Sequence, residues 1–328
     1  MRYVIYGAGA VGGAIGGLLH HAGFEVALIA RGAHLGAIRE RGLHLITPNL
    51  DVQLAVPAFA SPSEIAFRED DCVLLAMKSQ DTVAALEALR AAAGSAVPVV
   101  CAQNGVANER EAARRFDRVY GMLMQLPATH LKPGEIVTEG GPAAGVLDTG
   151  RFPLGVDEVV ERLCADLETS GFVAARSAAV MRLKYAKLLR NLGNAVPLIT
   201  GAAGGRPVVH ALRAEADAVY RAAGIDCAPT EEYAARTALC DIVEIPGVPR
   251  SGNSTMQSVL RGASTLETDY LNGEITELGV QFGVPTPVNR VVQDLSAEFA
   301  RTGRAPGSMT ADEVLALAAA RAPSSPIS

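Results

Sequence analysis

A short apolar run, Tyr3-Val4-Ile5-Tyr6, passes directly into Gly7-Ala8-Gly9-Ala10-Val11-Gly12, and this junction constrains the fold more than any other stretch of the chain. A bare GxGxxG is a weak signal: with 33 glycines in 328 residues, chance alone supplies about 0.3 of them. Its context is what counts. The motif follows an apolar strand, opens a stretch of helical period, and precedes a second apolar run, Val26 to Ala30. In a dinucleotide-binding βαβ unit the first glycine permits a tight turn and the second lets a pyrophosphate approach the backbone. The third lets helix and strand pack closely. The helix N-terminus then offers unpaired N–H groups and a partial positive charge. Gly7, Ala8, Gly9, Ala10, Val11 and Gly12 are therefore the expected cofactor loop.

The second apolar run ends on Arg31-Gly32, and no acid lies between Val26 and Leu35. A fold of this kind that selects NAD usually places Asp or Glu at this point, bonded to the ribose hydroxyls. A guanidinium instead suits a 2′-phosphate, through charge-assisted and often bidentate bonds. Arg31 therefore predicts NADP(H).

The pattern continues along the chain. Residues 3–6, 25–30, 72–77, 97–102 and 119–124 read as strands, with stretches of helical spacing between them. That alternation predicts a Rossmann-like, doubly wound parallel sheet with helices on both faces. Beyond about residue 178 the runs become helical with no clear strand between them. The expected division is thus an α/β domain over 1–178 and an all-α domain over 179–328. At 49% hydrophobic, the 328 residues are ample for two cores.

Composition narrows the partners. A net charge of −6 gives no global attraction to nucleic acid. No run of 18 apolar residues suggests a membrane span, and the N-terminus lacks a signal-peptide layout. The five cysteines are scattered, odd in number and never in CxxC. They read as reduced thiols of a cytoplasmic protein, and no metal site is expected. A homodimer is compatible with the sequence, which does not specify it.

Further side chains carry chemistry. Lys78 follows the strand at 72–77, and Asn104-Gly105 follows the strand at 97–102. Both would stand at carboxyl ends of strands, where open α/β sheets bind ligands. The Asn104 amide could bond a nicotinamide carboxamide or a substrate hydroxyl, since it donates and accepts. In "KYAKLLRNLGNAV", Lys187, Asn191 and Asn194 follow i, i+4, i+7 and would share one helix face. Lys184, one turn earlier, is the alternative amine, and the spacing to both asparagines favours Lys187. Glu267 has two readings. Ser264-Thr265-Leu266-Glu267 fits a capping box, or the carboxylate belongs to a site.

Taken together, Gly7 to Gly12, Arg31, Lys78, Asn104-Gly105, Lys187-Leu188 with Asn191, Ser254 and Glu267 occur in the order seen in ketopantoate reductases (2-dehydropantoate 2-reductases), a family this chain resembles over roughly residues 1 to 300. "LETDYLNGEI" and "GVPTPVN" resemble the family's C-terminal signature. The resemblance implies a Rossmann domain, a helical C-terminal domain and an active site in the cleft between them. It also implies NADPH-dependent reduction of 2-dehydropantoate, a small 2-keto acid, to (R)-pantoate on the route to pantothenate and coenzyme A. Carried over, Lys187 is the catalytic acid and Glu267 fixes the substrate hydroxyl. Asn104, Asn191, Asn194 and Ser254 contact the substrate or the nicotinamide, with Lys78 beside them on the cofactor side. Many members carry a second asparagine eight residues after the lysine, where this chain has Ala195 and offers Asn194 instead. That departure leaves the exact keto acid open. Two other readings stand beside it: a reductase of another branched 2-keto acid, and a non-catalytic NADP-binding sensor. A sensor would need neither Lys187 nor Glu267.

Overall fold

The structure, a computed structural model, describes residues 1–247, 255 and 266–321. The first strands are β1 (Arg2–Tyr6), β2 (Val26–Ile29), β3 (Leu43–Thr47), β4 (Leu50–Leu54), β5 (Ala58–Phe59), β6 (Asp71–Leu75), β7 (Val99–Cys101) and β8 (Val119–Met122). They are followed by β9 (Ala128–Thr129), β10 (Glu135–Thr138), β11 (Gly140–Pro142) and β12 (Thr149–Arg151). Seven of these form one sheet in the order β12-β8-β7-β6-β1-β2-β5. All its pairings are parallel except that of the edge strand β12 with β8. Each predicted apolar run supplies one of its strands; β2, β6, β7 and β8 are buried throughout and β1 at its three middle residues, as doubly covered strands must be. The chain first builds outward from β1 to β2 and β5, then returns to β6 on the other side of β1. This reversal puts the carboxyl ends of β1 and β6 side by side, where such sheets hold ligands.

Side chains alternate across the sheet. Tyr3 and Ile5 join one core with Ile15, Leu19 and Leu163, while Val4 joins another with Leu86, Leu89 and Phe116. The helices supplying these cores are α1 (Ala10–His21), α2 (Gly32–Arg41), α3 (Thr82–Ala93), α4 (Asn108–Ala113) and α5 (Glu158–Thr169). Asp157 caps α5 by accepting from the N–H of Val160 at 3.2 Å.

A second sheet, β4-β3-β10-β9, has no counterpart in the sequence reading. It covers the outer face of α1 and explains the glycines of that helix. A Cβ on Gly12 or Gly16 would come within 2.9 Å of Ile5, under the main sheet. One on Gly13 would sit 2.6 Å from Ile136 of β10, and one on Gly17 would lie 3.2 Å from Leu43 of β3. Helix α1 is therefore bare on two faces because a sheet lies against each.

Four further helices follow: α6 (Val180–Asn191), α7 (Val196–Gly204), α8 (Arg206–Ala223) and α9 (Thr230–Thr237). After the short strand β13 (Cys240–Ile242) come α10 (Thr268–Phe282), α11 (Pro287–Thr302) and α12 (Ala311–Arg321). The chain divides into two compact units: Met1–Lys184 with Ala228–Pro249, and Tyr185–Cys227 with Arg250–Ser328. The return of 228–249 to the first unit is held by β13 pairing antiparallel with β11. Arg236 also grips the buried Asp148 carboxylate through two bonds of 2.6 Å. Among the described residues the second unit is helical. No described helix is long and apolar enough to cross a membrane, and none of the five cysteines is in a disulfide.

Candidate active site

The glycine loop sits at the carboxyl end of β1. Gly7 has φ +100°, and a Cβ there would meet the backbone nitrogen of Met77, just past β6, at 2.6 Å. Only glycine tolerates both demands. A Cβ on Gly12 would strike the Gly7 carbonyl at 2.3 Å. Gly9 differs, because nothing lies within 4 Å of its Cβ position. It is the N-cap of α1, with no side-chain cap and no acid in the first turn. The loop thus presents an open backbone surface and a helix N-terminus, the arrangement that receives a phosphate.

Arg31 stands at the N-cap of α2, with its side chain 76% exposed. Its guanidinium meets the Asp81 carboxylate, from the turn after β6, at 2.9 Å. The local sequence holds no acid, but the fold brings one from fifty residues away. An exposed pair of this kind contributes little to stability, so it opens readily for a stronger anion.

The ends of β6 and β7 are tied by a buried polar network. Gln103 Nε2 donates to the Met77 carbonyl at 2.9 Å and to Thr82 Oγ1 at 2.8 Å. Thr82 Oγ1 donates to Asn108 Oδ1 at 2.9 Å. Asn108 Nδ2 donates to Ser79 Oγ and to the Asn104 carbonyl, both at 3.1 Å. This network fixes the backbone that carries Lys78 and Asn104, both half-buried. The Asn104 side-chain oxygen itself is buried and has no hydrogen-bond partner among the described residues, as is Gln103 Oε1.

Helix α6 carries both candidate amines, in different settings. Lys184 is 3% exposed and Glu109 is fully buried. Their charges meet at 2.5 Å. Lys184 Nζ also donates to the carbonyls of Gln103 at 3.0 Å and Cys101 at 3.3 Å. Two carbonyls take its hydrogen bonds and Glu109 meets its charge, so Lys184 is a structural cation that ties the start of α6 to the end of β7. Lys187 is half-buried, as is Asn191, one turn on. The Asn191 Nδ2 group is buried without a partner among the described residues. Asn194 needs a correction: α6 ends at Asn191, and residues 192–195 form a turn rather than a seventh-residue helical repeat. The Asn194 N–H bonds the Asn191 carbonyl at 2.9 Å, a three-residue closure. Gly193 favours helix poorly, and Pro197 at the start of α7 lacks an N–H and restricts the residue before it.

Glu267 is the N-cap residue of α10; its carbonyl accepts from the Tyr270 N–H at 2.9 Å, and its side chain makes no cap bond to that helix. It therefore stands ahead of the first turn, rather than three residues into a helix as the capping box requires. Ser254 lies outside the described residues. The signature segments have a structural share: Asn272 Nδ2 donates to the Leu192 carbonyl at 3.2 Å and to Asn289 Oδ1 at 3.1 Å. Asn289 Nδ2 donates in turn to the Leu212 carbonyl and to Glu215. These amides, at most 1% exposed, hold the chain just beyond Asn191. Among the described residues no cluster of His, Cys, Asp or Glu is arranged to hold a metal.

Residues 3–151 match the family described as ketopantoate reductase PanE/ApbA, and residues 174–300 match its C-terminal counterpart. The chain belongs to the ketopantoate reductase family. A 2-dehydropantoate 2-reductase of Halobacterium salinarum is 29% identical, covering 92% of this chain and all of the relative. One from Pyrococcus horikoshii is 27% identical, over 88% of this chain and 94% of the relative. Among solved structures, a PanE/ApbA family ketopantoate reductase from Ralstonia eutropha superposes with a TM-score of 0.78 at 30% identity, covering 92% of this chain and 99% of that one. D-mandelate dehydrogenase, solved with NADH and anilino(oxo)acetate, shares the fold at a TM-score of 0.76 and 23% identity, with the same coverage. Within this ketopantoate reductase fold, Asp81, Gln103, Asn108, Glu109 and His34 are the polar residues around the candidate site that local sequence patterns did not single out. Each acts across long sequence separations, and Glu109 reads locally as one more charge in "NEREAARRF".

Proposed function

We propose that this protein reduces 2-dehydropantoate to (R)-pantoate with NADPH, a step toward pantothenate and coenzyme A. The observation that carries the proposal is the two buried amide atoms without partners among the described residues, Asn104 Oδ1 and Asn191 Nδ2. An unpaired buried polar group costs about 1–3 kcal/mol. The family resemblance assigns both residues to nicotinamide or substrate contacts, and each atom is of a kind that such a contact would satisfy.

The open backbone at Gly9 and the uncapped start of α1 fit a pyrophosphate. Arg31 takes the 2′-phosphate, exchanging its exposed contact with Asp81 for a charge-assisted one. The nicotinamide, when bound, supplies the hydride. Lys187 stabilises the charge developing on the keto oxygen and delivers the proton that completes the alcohol. Glu267 orients the substrate hydroxyl, and Ser254 and Asn191 complete the substrate contacts.

The test is oxidation of NADPH, and in parallel NADH, against a panel of 2-keto acids that includes 2-dehydropantoate. The expected result is turnover with 2-dehydropantoate and a preference for NADPH. Faster turnover of another branched keto acid would move the assignment to that substrate, and faster turnover with NADH would overturn the role of Arg31.

A further inference from the structure

We infer that His34 is a positioning residue that holds the phosphate-binding loop in shape and makes dinucleotide affinity depend on pH. The inference rests on the cofactor reading above. His34 lies in the first turn of α2, three residues after Arg31, and is 9% exposed. Both of its ring nitrogens are engaged. Nδ1 accepts from the Gly134 N–H at 2.8 Å, so in the neutral ring Nε2 carries the proton and donates to the Ala8 carbonyl at 2.7 Å. The Ala8 N–H donates to the Ile29 carbonyl at the end of β2. Ala8, the second residue of the glycine motif, is therefore pinned at both its amide and its carbonyl.

The Ala8 carbonyl and the Gly9 N–H are opposite ends of one rigid peptide plane. Fixing the carbonyl fixes the direction in which the chain enters Gly9 and α1, whose N-terminus must face the pyrophosphate. Gly134 is anchored in turn, because its own carbonyl accepts from the His44 N–H of β3. One imidazole thus joins the glycine loop, the helix after Arg31 and the second sheet.

A second proton on His34 breaks this arrangement. Nδ1–H would confront the Gly134 N–H, donor against donor, and the ring could no longer serve both partners. Burial already holds the His34 pKa below its ordinary value. The His130 ring packs against it, 4.0 Å away centre to centre and tilted by 48°, and takes no part in the bonds to Ala8 and Gly134. On the flanking segments Arg31 meets Asp81, Arg39 meets Glu64, Arg41 meets Glu40, Lys132 meets Glu135, and the His44 ring lies against Asp51 and Glu135. Residues 7–12 carry no charge. The neutral ring, and with it the shaped loop, is present above the ordinary histidine range and is lost as pH falls through the lowered pKa.

The test is titration of the full-length protein with NADPH, followed by nicotinamide fluorescence, from pH 5 to pH 8. Thermal unfolding is recorded at each pH. His34→Leu should weaken NADPH about tenfold at neutral pH, the effect of about one hydrogen bond. His34→Gln can donate to Ala8 and accept from Gly134, so it should bind nearly as the wild type does at neutral pH and lose part of the weakening in acid. The 2′-phosphate of NADPH also titrates near pH 6, so the difference between wild type and His34→Gln is the quantity read. His130→Gln should keep the wild-type acid response. Identical pH profiles for wild type and His34→Gln would overturn the inference, as would undiminished NADPH affinity in a folded His34→Leu. If the wild type binds neither NADPH nor NADH at neutral pH, the cofactor reading fails first and this inference falls with it.

Discussion

Lys184→Met should destabilise the protein by about 3–5 kcal/mol, the cost of breaking a buried ion pair from one side. The structure accounts for the size. Glu109 is fully buried, and neither of its oxygens has hydrogen-bond geometry with a described residue. The ammonium at 2.5 Å is therefore its compensating charge. The same substitution removes the donor to the Gln103 and Cys101 carbonyls. The double variant Lys184→Met/Glu109→Gln removes the stranded charge and should recover all but about 1–2 kcal/mol, the remaining deficit reflecting the two carbonyls. The sequence contains no tryptophan, so urea unfolding is best followed by far-UV circular dichroism, with the coupling taken from the double-mutant cycle. A loss below 1 kcal/mol for the single variant would refute the argument. So would a double variant less stable than the single one.

Lys187→Ala should behave in the opposite way, lowering turnover by about 10²–10⁴-fold while leaving urea unfolding and NADPH binding close to wild type. Retained turnover would remove Lys187 as proton donor. Arg31→Ala should cost about 1.5–3 kcal/mol of NADPH affinity and much less of NADH affinity. Asp81→Asn should tighten NADPH, because the guanidinium then has no competing carboxylate; fluorescence titration with both cofactors measures each effect, and equal changes for the two would show that neither residue reads the 2′-phosphate. Gly9→Val should fold normally, since its Cβ position is open, yet lose dinucleotide binding. Gly12→Ala should lower the melting temperature as well, because its Cβ would meet the Gly7 carbonyl at 2.3 Å.

The main sheet and the loop at the carboxyl end of β1 are legible in the amino-acid order alone. A strand buried on both faces needs an unbroken apolar run, and β1, β2, β6, β7 and β8 each show one. Gly7, Gly9 and Gly12 are legible for a related reason: their constraint comes from a turn and a helix start only six residues long. Lys187 and Asn191 are readable as a spacing on one helix, and Asn194 is misread only where Gly193 and Pro197 end that helix early. Tertiary structure decided everything that joins distant segments. It placed Asp81 on Arg31, Glu109 under Lys184 and His34 against Ala8. It also laid a second sheet over the glycines of α1 and returned residues 228–249 to the first unit. These pairings have no period and no local composition to announce them. A charge or an imidazole in the sequence reads as solvated surface until the fold removes the water and leaves one partner within reach.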